Sequence, residues 1–140
     1  PLTGWRVSAS HLQAEVAANP RLQEVFRGYQ EYVAAFLAQS AACNGLHSVQ
    51  RRCCRWLLTN HDALGTDRLP LTHEFLAFIL GTRRASVSDV LRPLYERGLI
   101  RAGRGVITIL NRSALEQAGC ECYRVLRDAY EQYVPAATAR

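Results

Sequence analysis

The stretch from Leu71 to Leu99, LTHEFLAFILGTRRASVSDVLRPLYERGL, leaves the chain few folds to choose from. It divides at Gly81 into two apolar-periodic segments, each too short to be a stable helix unless packed against the other. Thr72 is of an N-cap type, and His73 and Glu74 follow in the first turn, where an acid suits the helix dipole. Phe75, Leu76, Ile79 and Leu80 recur at helical spacing. Gly81 stops this helix, because glycine takes the left-handed C-terminal conformation at no steric cost. A second helix begins within Thr82–Ala85 and reaches about Arg97, with Val87, Val90, Leu91 and Leu94 as its buried stripe. Outside remain Arg83, Arg84, Ser86, Ser88, Asp89 and Arg92, a surface of long cations and short hydroxyls suited to a groove lined by phosphates and base edges. Pro93 removes one helical bond and clashes with the Asp89 carbonyl at a cost of ~3 kcal/mol. That predicts a kink or an early end near Asp89–Arg92.

Two β-prone runs follow, Leu99–Arg101 and Val106–Leu110, around the glycine-rich Ala102-Gly103-Arg104-Gly105. This is a hairpin signal, and a hairpin directly after such a helix pair is a wing. The charge agrees with it. The chain carries a net +5, and all 17 basic residues are arginine. Between Arg83 and Arg104 six arginines face two acids, whereas from Pro1 to Leu46 three of each cancel. The positive field therefore sits on the helix pair and wing, favouring a polyanionic partner there.

From about Ser40 onward the chain resembles the DNA-binding end of the Crp/Fnr family of bacterial transcription regulators. The residues carrying the resemblance are QSAACNGLHSVQRRCCRWLL, LTHEFLAFILGTRRASVSDVLRPL and GLIRAGRGVITI. It implies a mainly α fold, with a long dimerisation helix followed by a winged helix-turn-helix domain bearing a small β-hairpin. It also implies a homodimer, double-stranded operator DNA as partner, and RNA polymerase as a further one. Aligned on the family's motif, Arg84 falls on the base-reading arginine. Ala85 stands where glutamate is common and can offer only a methyl contact. Asp89 stands where those relatives place another arginine, and it could accept from a cytosine amino group or repel phosphate. Thr72, Arg83, Ser86 and Arg92 are assigned to phosphates, with Ser88 on the same outer surface. His73 in the first turn and Arg104 at the wing tip are further phosphate candidates.

Upstream, Asn19-Pro20 restarts a helix, since proline is tolerated in the first turn. Its apolar positions Leu22, Val25, Phe26, Tyr29, Val33, Phe36 and Leu37 include sevenfold repeats, Leu22–Tyr29–Phe36 and Phe26–Val33. Such a repeat on a long helix favours pairing with a copy of itself. With the resemblance, the implied organisation is 1–18 as the edge of a sensory domain, 19–45 as the dimerisation helix ended by Asn44-Gly45, and 46–140 as the DNA-binding domain. Trp5-Arg6-Val7 could form one strand before a helix over His11–Ala18. The chain begins at Pro1 and contains no methionine, which suggests a piece of a longer protein. No apolar run approaches the ~20 residues of a membrane span, and the expected location is the cytoplasm.

In the remaining chain a helix from about Ser48 to Asn60 is expected to bury Val49, Cys53, Trp56 and Leu57 and to expose Gln50, Arg51, Arg52 and Arg55. Ala63–Pro70 reads as a polar loop. One last helix after Asn111 or Ser113 carries Leu115, Ala118, Cys122, Val125, Leu126 and Tyr130 on its apolar side.

The five cysteines are read as small apolar filler, a common role for free thiols. Residues two apart on a helix point about 200° from one another, so Cys120 and Cys122 on one helix cannot share an ion. His11, His47, His61 and His73 are scattered. No metal site, cofactor or catalytic constellation is assigned. Two other readings stay open: a cysteine-based redox or metal sensor with the helix-turn-helix as scaffold, and a winged-helix interaction module that does not bind DNA.

Overall fold

The computed structural model describes residues 4–134. Ser8 caps the first helix, α1 (Ala9–Ala18), its hydroxyl accepting the His11 N–H at 3.3 Å. The expected strand at Trp5–Val7 does not form, because no neighbouring strand among the described residues offers it a ladder. Trp5 is instead fully exposed. The Asn19 side chain then accepts from the N–H groups of Arg21 and Leu22 and starts α2 (Pro20–Leu46) with proline in its first turn. At 27 residues, this helix is about 40 Å long. It runs through Asn44-Gly45, where a break was expected, and closes where the His47 N–H bonds the Cys43 carbonyl at 3.1 Å. Gly45 costs about 1 kcal/mol there, a penalty offset by the packing of α2 against the C-terminal helix.

Ser48 caps α3 (Val49–Leu64), and Gly65 ends it at φ +62°. Cys53, Cys54, Leu57 and Leu58 are buried, with Val49 and Trp56 packed at the edge. Arg55, expected in solvent, is only 6% exposed. α3 is covered by other elements on more than one side, so its buried arc is wider than a single stripe. In the supposed polar loop lies β1 (Arg68–Leu69), too short to show periodicity but with Leu69 fully buried.

Next come α4 (His73–Leu80) and α5 (Arg84–Glu96), then β2 (Ile100–Gly103) and β3 (Val106–Ile109). The three strands form one antiparallel sheet in the order β1-β3-β2. Leu69, Ile100, Ile107 and Ile109 point into the core beside Leu76, Leu91 and Leu94. On α4 the buried residues are Leu76, Ala77 and Leu80, whereas Phe75 and Ile79 lie partly in solvent. So short a helix rests on its neighbours through one narrow edge, and Phe75 packs laterally on Trp56 with ring centroids 5.9 Å apart. α5 is continuous through Pro93. The early end does not occur, because the carbonyl that loses its partner belongs to the solvent-exposed Asp89 and can bond water.

The expected last helix is two: α6 (Arg112–Ala118), capped by the Asn111 side chain, and α7 (Cys122–Tyr133). They are separated at Gly119, which is buried against α3. A Cβ there would stand 3.3 Å from the Glu116 carbonyl oxygen and 3.6 Å from Cys54 Cβ. Val125 and Tyr130, expected on the apolar side of α7, are about half exposed. A polar knot ties these helices to α3. Asp62 accepts from Arg112 at 2.8 Å and from the Tyr123 hydroxyl at 2.7 Å, and burial with this carboxylate pushes Tyr123 up to about 12.

Candidate nucleic-acid interface

The geometry of the helix pair begins at its caps. The Thr72 hydroxyl accepts the Phe75 N–H at 3.1 Å, which fixes the start of α4. Gly81 at φ +60° ends that helix, and the Thr82 N–H closes the turn on the Ala77 carbonyl at 3.0 Å. Val87, Leu91 and Leu94 anchor α5 from below. The opposite face is then dictated by helix geometry: Arg83, Arg84, Ala85, Ser88, Asp89 and Arg92 are all exposed, and Ser86 is half-buried.

The N-terminus of α5 has no side-chain cap and no acid in its first turn. Its free N–H groups therefore add to the field of Arg83 and Arg84, an arrangement that favours anions. Farther along, Arg92 Nη2 lies 2.7 Å from Asp89 Oδ1, with both side chains more than 60% exposed. Such a pair contributes at most ~1 kcal/mol, so a phosphate can compete for the guanidinium.

The tip of the hairpin reaches the start of α4. Arg104 and Gly105 form its two-residue tip, between paired Gly103 and Val106. A Cβ on Gly105 would meet Thr72 Cγ2 at 3.9 Å, so the wing tip touches the start of α4. Arg68 and Arg101 both pair with Thr108, from either side of β3, and stand on the sheet's solvent face. Neither was singled out from the sequence; Arg68 lay in the unrecognised strand, and only the pairing shows that the two share a face. Thr72 at the cap of α4, Arg83, Arg84, Ala85, Ser88, Asp89 and Arg92 on α5 and its N-cap, and Arg104 at the wing tip are thus exposed, with His73 and Ser86 half-buried.

Comparison with known proteins matches residues 51–118 to the family described as the Crp-like helix-turn-helix domain. Those 68 of the chain's 140 residues are similar to that domain. Among solved structures, a protein from Eubacterium rectale described as a Crp/Fnr-family transcriptional regulator shares 25% identity with a TM-score of 0.58, covering 81% of this chain and 53% of its own. The catabolite activator protein of Thermus thermophilus shares 25% identity with a TM-score of 0.43, covering 84% of this chain and 47% of its own. The chain therefore spans about half the length of these two structures. No curated protein matches it.

Preceding the Crp-like domain, α2 presents two faces. One carries Tyr32, whose ring meets Tyr130 of α7 edge-on at 5.2 Å, with Phe36 6.0 Å from Tyr32. The other carries Leu22, Phe26, Val33 and Leu37, of which Phe26 and Leu37 lie in solvent, while Val25 and Tyr29 stand at the boundary, the Tyr29 ring 6.4 Å from Tyr32. Among the described residues no helix is long and apolar enough to cross a membrane.

The cysteines divide into two sets. Cys53 and Cys54 fill the Crp-like core, and burial raises both thiols, Cys54 to about 11. Cys43, Cys120 and Cys122 form a separate buried cluster joined by His47. The expectation that Cys120 and Cys122 point apart fails because Cys120 precedes α7 and Cys122 is its first residue. Burial, followed by the Cys43 neighbour, pushes the Cys120 thiol up to about 12. The signal available in the sequence was Cys43 and His47 four apart, on the last turn of a helix, with a Cys-x-Cys after a glycine.

Proposed function

We propose that this chain is the dimerising and DNA-binding part of a Crp/Fnr-like transcription regulator, acting on operator DNA in the cytoplasm. Two copies pair through the open face of α2, around Leu22, Val25, Phe26, Tyr29, Val33 and Leu37. Phe36 takes a lesser part, since it also packs beside Tyr32. Each copy lays the first turns of α5 in the major groove. Arg84 reads a guanine through O6 and N7, a bidentate match that guanidinium geometry suits. Ala85 offers a methyl contact, Ser88 lines the groove, and Asp89 accepts from a cytosine amino group. Thr72, His73, Arg83, Ser86, Arg92 and Arg104 hold phosphates, while Arg68 and Arg101 extend the positive field along the sheet.

The observation that carries this reading is the exposed arginine face of α5, with the arginine-tipped wing against the start of α4. The action is binding, not catalysis. The test is selection of bound sequences from random duplex DNA. Two inverted half-sites with centres about one helical turn (~34 Å) apart are expected, and no enriched sequence would refute it.

A further inference from the structure

The long helix ends on an unusual set of side chains. Cys43 and His47 come from the last turn of α2 and its cap, while Cys120 and Cys122 straddle the start of α7. Their four ligand atoms, three Sγ and one imidazole nitrogen, all lie within 4.8 Å of one another. Cys43 Sγ and Cys120 Sγ are 3.6 Å apart, and Cys122 Sγ is 3.6 Å from His47 Nδ1. A tetrahedral zinc ion with arms of about 2.3 Å to sulfur and 2.0–2.1 Å to nitrogen requires ligand–ligand edges of about 3.5–3.8 Å. The two contacts fall in that range.

We infer that Cys43, His47, Cys120 and Cys122 form a tetrahedral Cys₃His site for a single zinc ion, clamping the long helix to the C-terminal helix.

Features around the four ligands fit this use. Glu121 Oε1 lies 3.1 Å from His47 Nε2. The carboxylate therefore holds the ring proton on Nε2 and leaves the Nδ1 lone pair facing the thiols, as metal-bound histidines are usually oriented. Arg51 braces this arrangement, with Nη2 3.8 Å from the other Glu121 oxygen and Nε donating to the Gly119 carbonyl at 3.2 Å. Gln39 Nε2 donates to Cys122 Sγ at 3.0 Å, a bond that stabilises a thiolate. Three thiolates around a divalent ion leave one net negative charge. Arg55 is a buried cation that acts electrostatically on Cys43, and its Nε has no hydrogen-bond partner. That guanidinium balances the charge of the loaded site.

The ligand set also argues against other occupants. A polynuclear iron–sulfur cluster spreads its thiolates over several irons, whereas ligands this close surround one ion. Four protein donors leave no open position, so the site is structural. All four ligands lie just outside residues 51–118 and flank the Crp-like domain at both ends. The ion would thus fix the angle between α2 and the domain that carries α5, independently of whether that domain binds DNA.

The test uses the whole chain, purified under reducing conditions without chelator. Elemental analysis should find one zinc per chain. Replacing it with Co²⁺ should give the visible bands of a tetrahedral ion and the near-ultraviolet absorption of thiolate ligands. The Cys120→Ser/Cys122→Ser double variant should lose both signals. Should that variant fail to fold, Glu121→Gln, at an exposed position, should stay folded by circular dichroism and bind Co²⁺ about 10–100-fold more weakly. Folded wild-type protein without metal that shows no thiolate band on titration with Co²⁺ would overturn the inference. So would a Cys43–Cys120 disulfide in its place, or a double variant that retains stoichiometric zinc.

Discussion

Asp89→Ala isolates the electrostatics of the reading face. In the free protein this carboxylate sits 2.7 Å from Arg92 Nη2 in an exposed pair. Surface pairs of this kind contribute roughly 0–1 kcal/mol, and alanine favours helix more than aspartate by a few tenths of a kcal/mol. Folding stability should therefore stay within ~1 kcal/mol of wild type. DNA binding should change more. The substitution removes an anion from a face that meets phosphates and spares Arg92 the cost of leaving this pair for its phosphate. That cost is at most ~1 kcal/mol per subunit, so a dimer should bind random duplex up to ~30-fold more tightly, while the number of phosphates held, and with it the slope of log K against log salt, stays the same. Losing the two Arg92 contacts of a dimer would instead flatten that slope by ~1.8, about 12-fold in affinity over a fourfold change in salt. Fluorescence anisotropy of a labelled random duplex between roughly 50 and 200 mM salt resolves this. While random-DNA affinity rises, discrimination at one cytosine-containing pair per half-site should fall. Random-duplex affinity that does not rise would show that Arg92 does not leave Asp89 for a phosphate, and the assignment of this edge would be wrong.

Phe26→Glu combined with Leu37→Glu puts charge into the open face of α2, away from its contact with α7 through Tyr32. Sedimentation should shift from dimer to monomer with the helical content retained; a wild-type monomer at micromolar concentration would refute the seam. Arg92→Ala should weaken specific and random duplexes alike and lower the salt slope by roughly one per subunit; weakening confined to the selected operator would mean that Arg92 reads a base.

The parts of the fold visible in the sequence were those in which one local signal dominates. Thr72 caps α4, Gly81 ends it, and the Val87–Leu91–Leu94 stripe buries α5; each follows from backbone chemistry within a few residues. The outward arginines are the complement of that stripe. What escaped depended on distant neighbours. Leu69 belongs to a strand only because β3 lies beside it, and Arg55 is buried because other helices cover α3. Phe75 and Ile79 keep helical spacing yet face outward, since α4 is too short to bury a full stripe. The thiol cluster was hidden for a related reason. Reading one helix across Gly119 sent Cys120 and Cys122 in opposite directions, whereas the glycine ends α6 and lets both turn toward Cys43 and His47. A glycine that a neighbouring helix requires leaves no mark on local periodicity.

The central claim is that α5 reads sequence through Arg84 while the residues around it hold the backbone. Its most direct test is the affinity of Arg84→Ala for one selected operator and for random duplex at the same salt concentration. The operator complex should weaken by ~1–3 kcal/mol for each half-site, with preference relaxed at one base pair in each, and random binding should fall far less. Equal weakening on both duplexes would make Arg84 a phosphate clamp and contradict the register along α5.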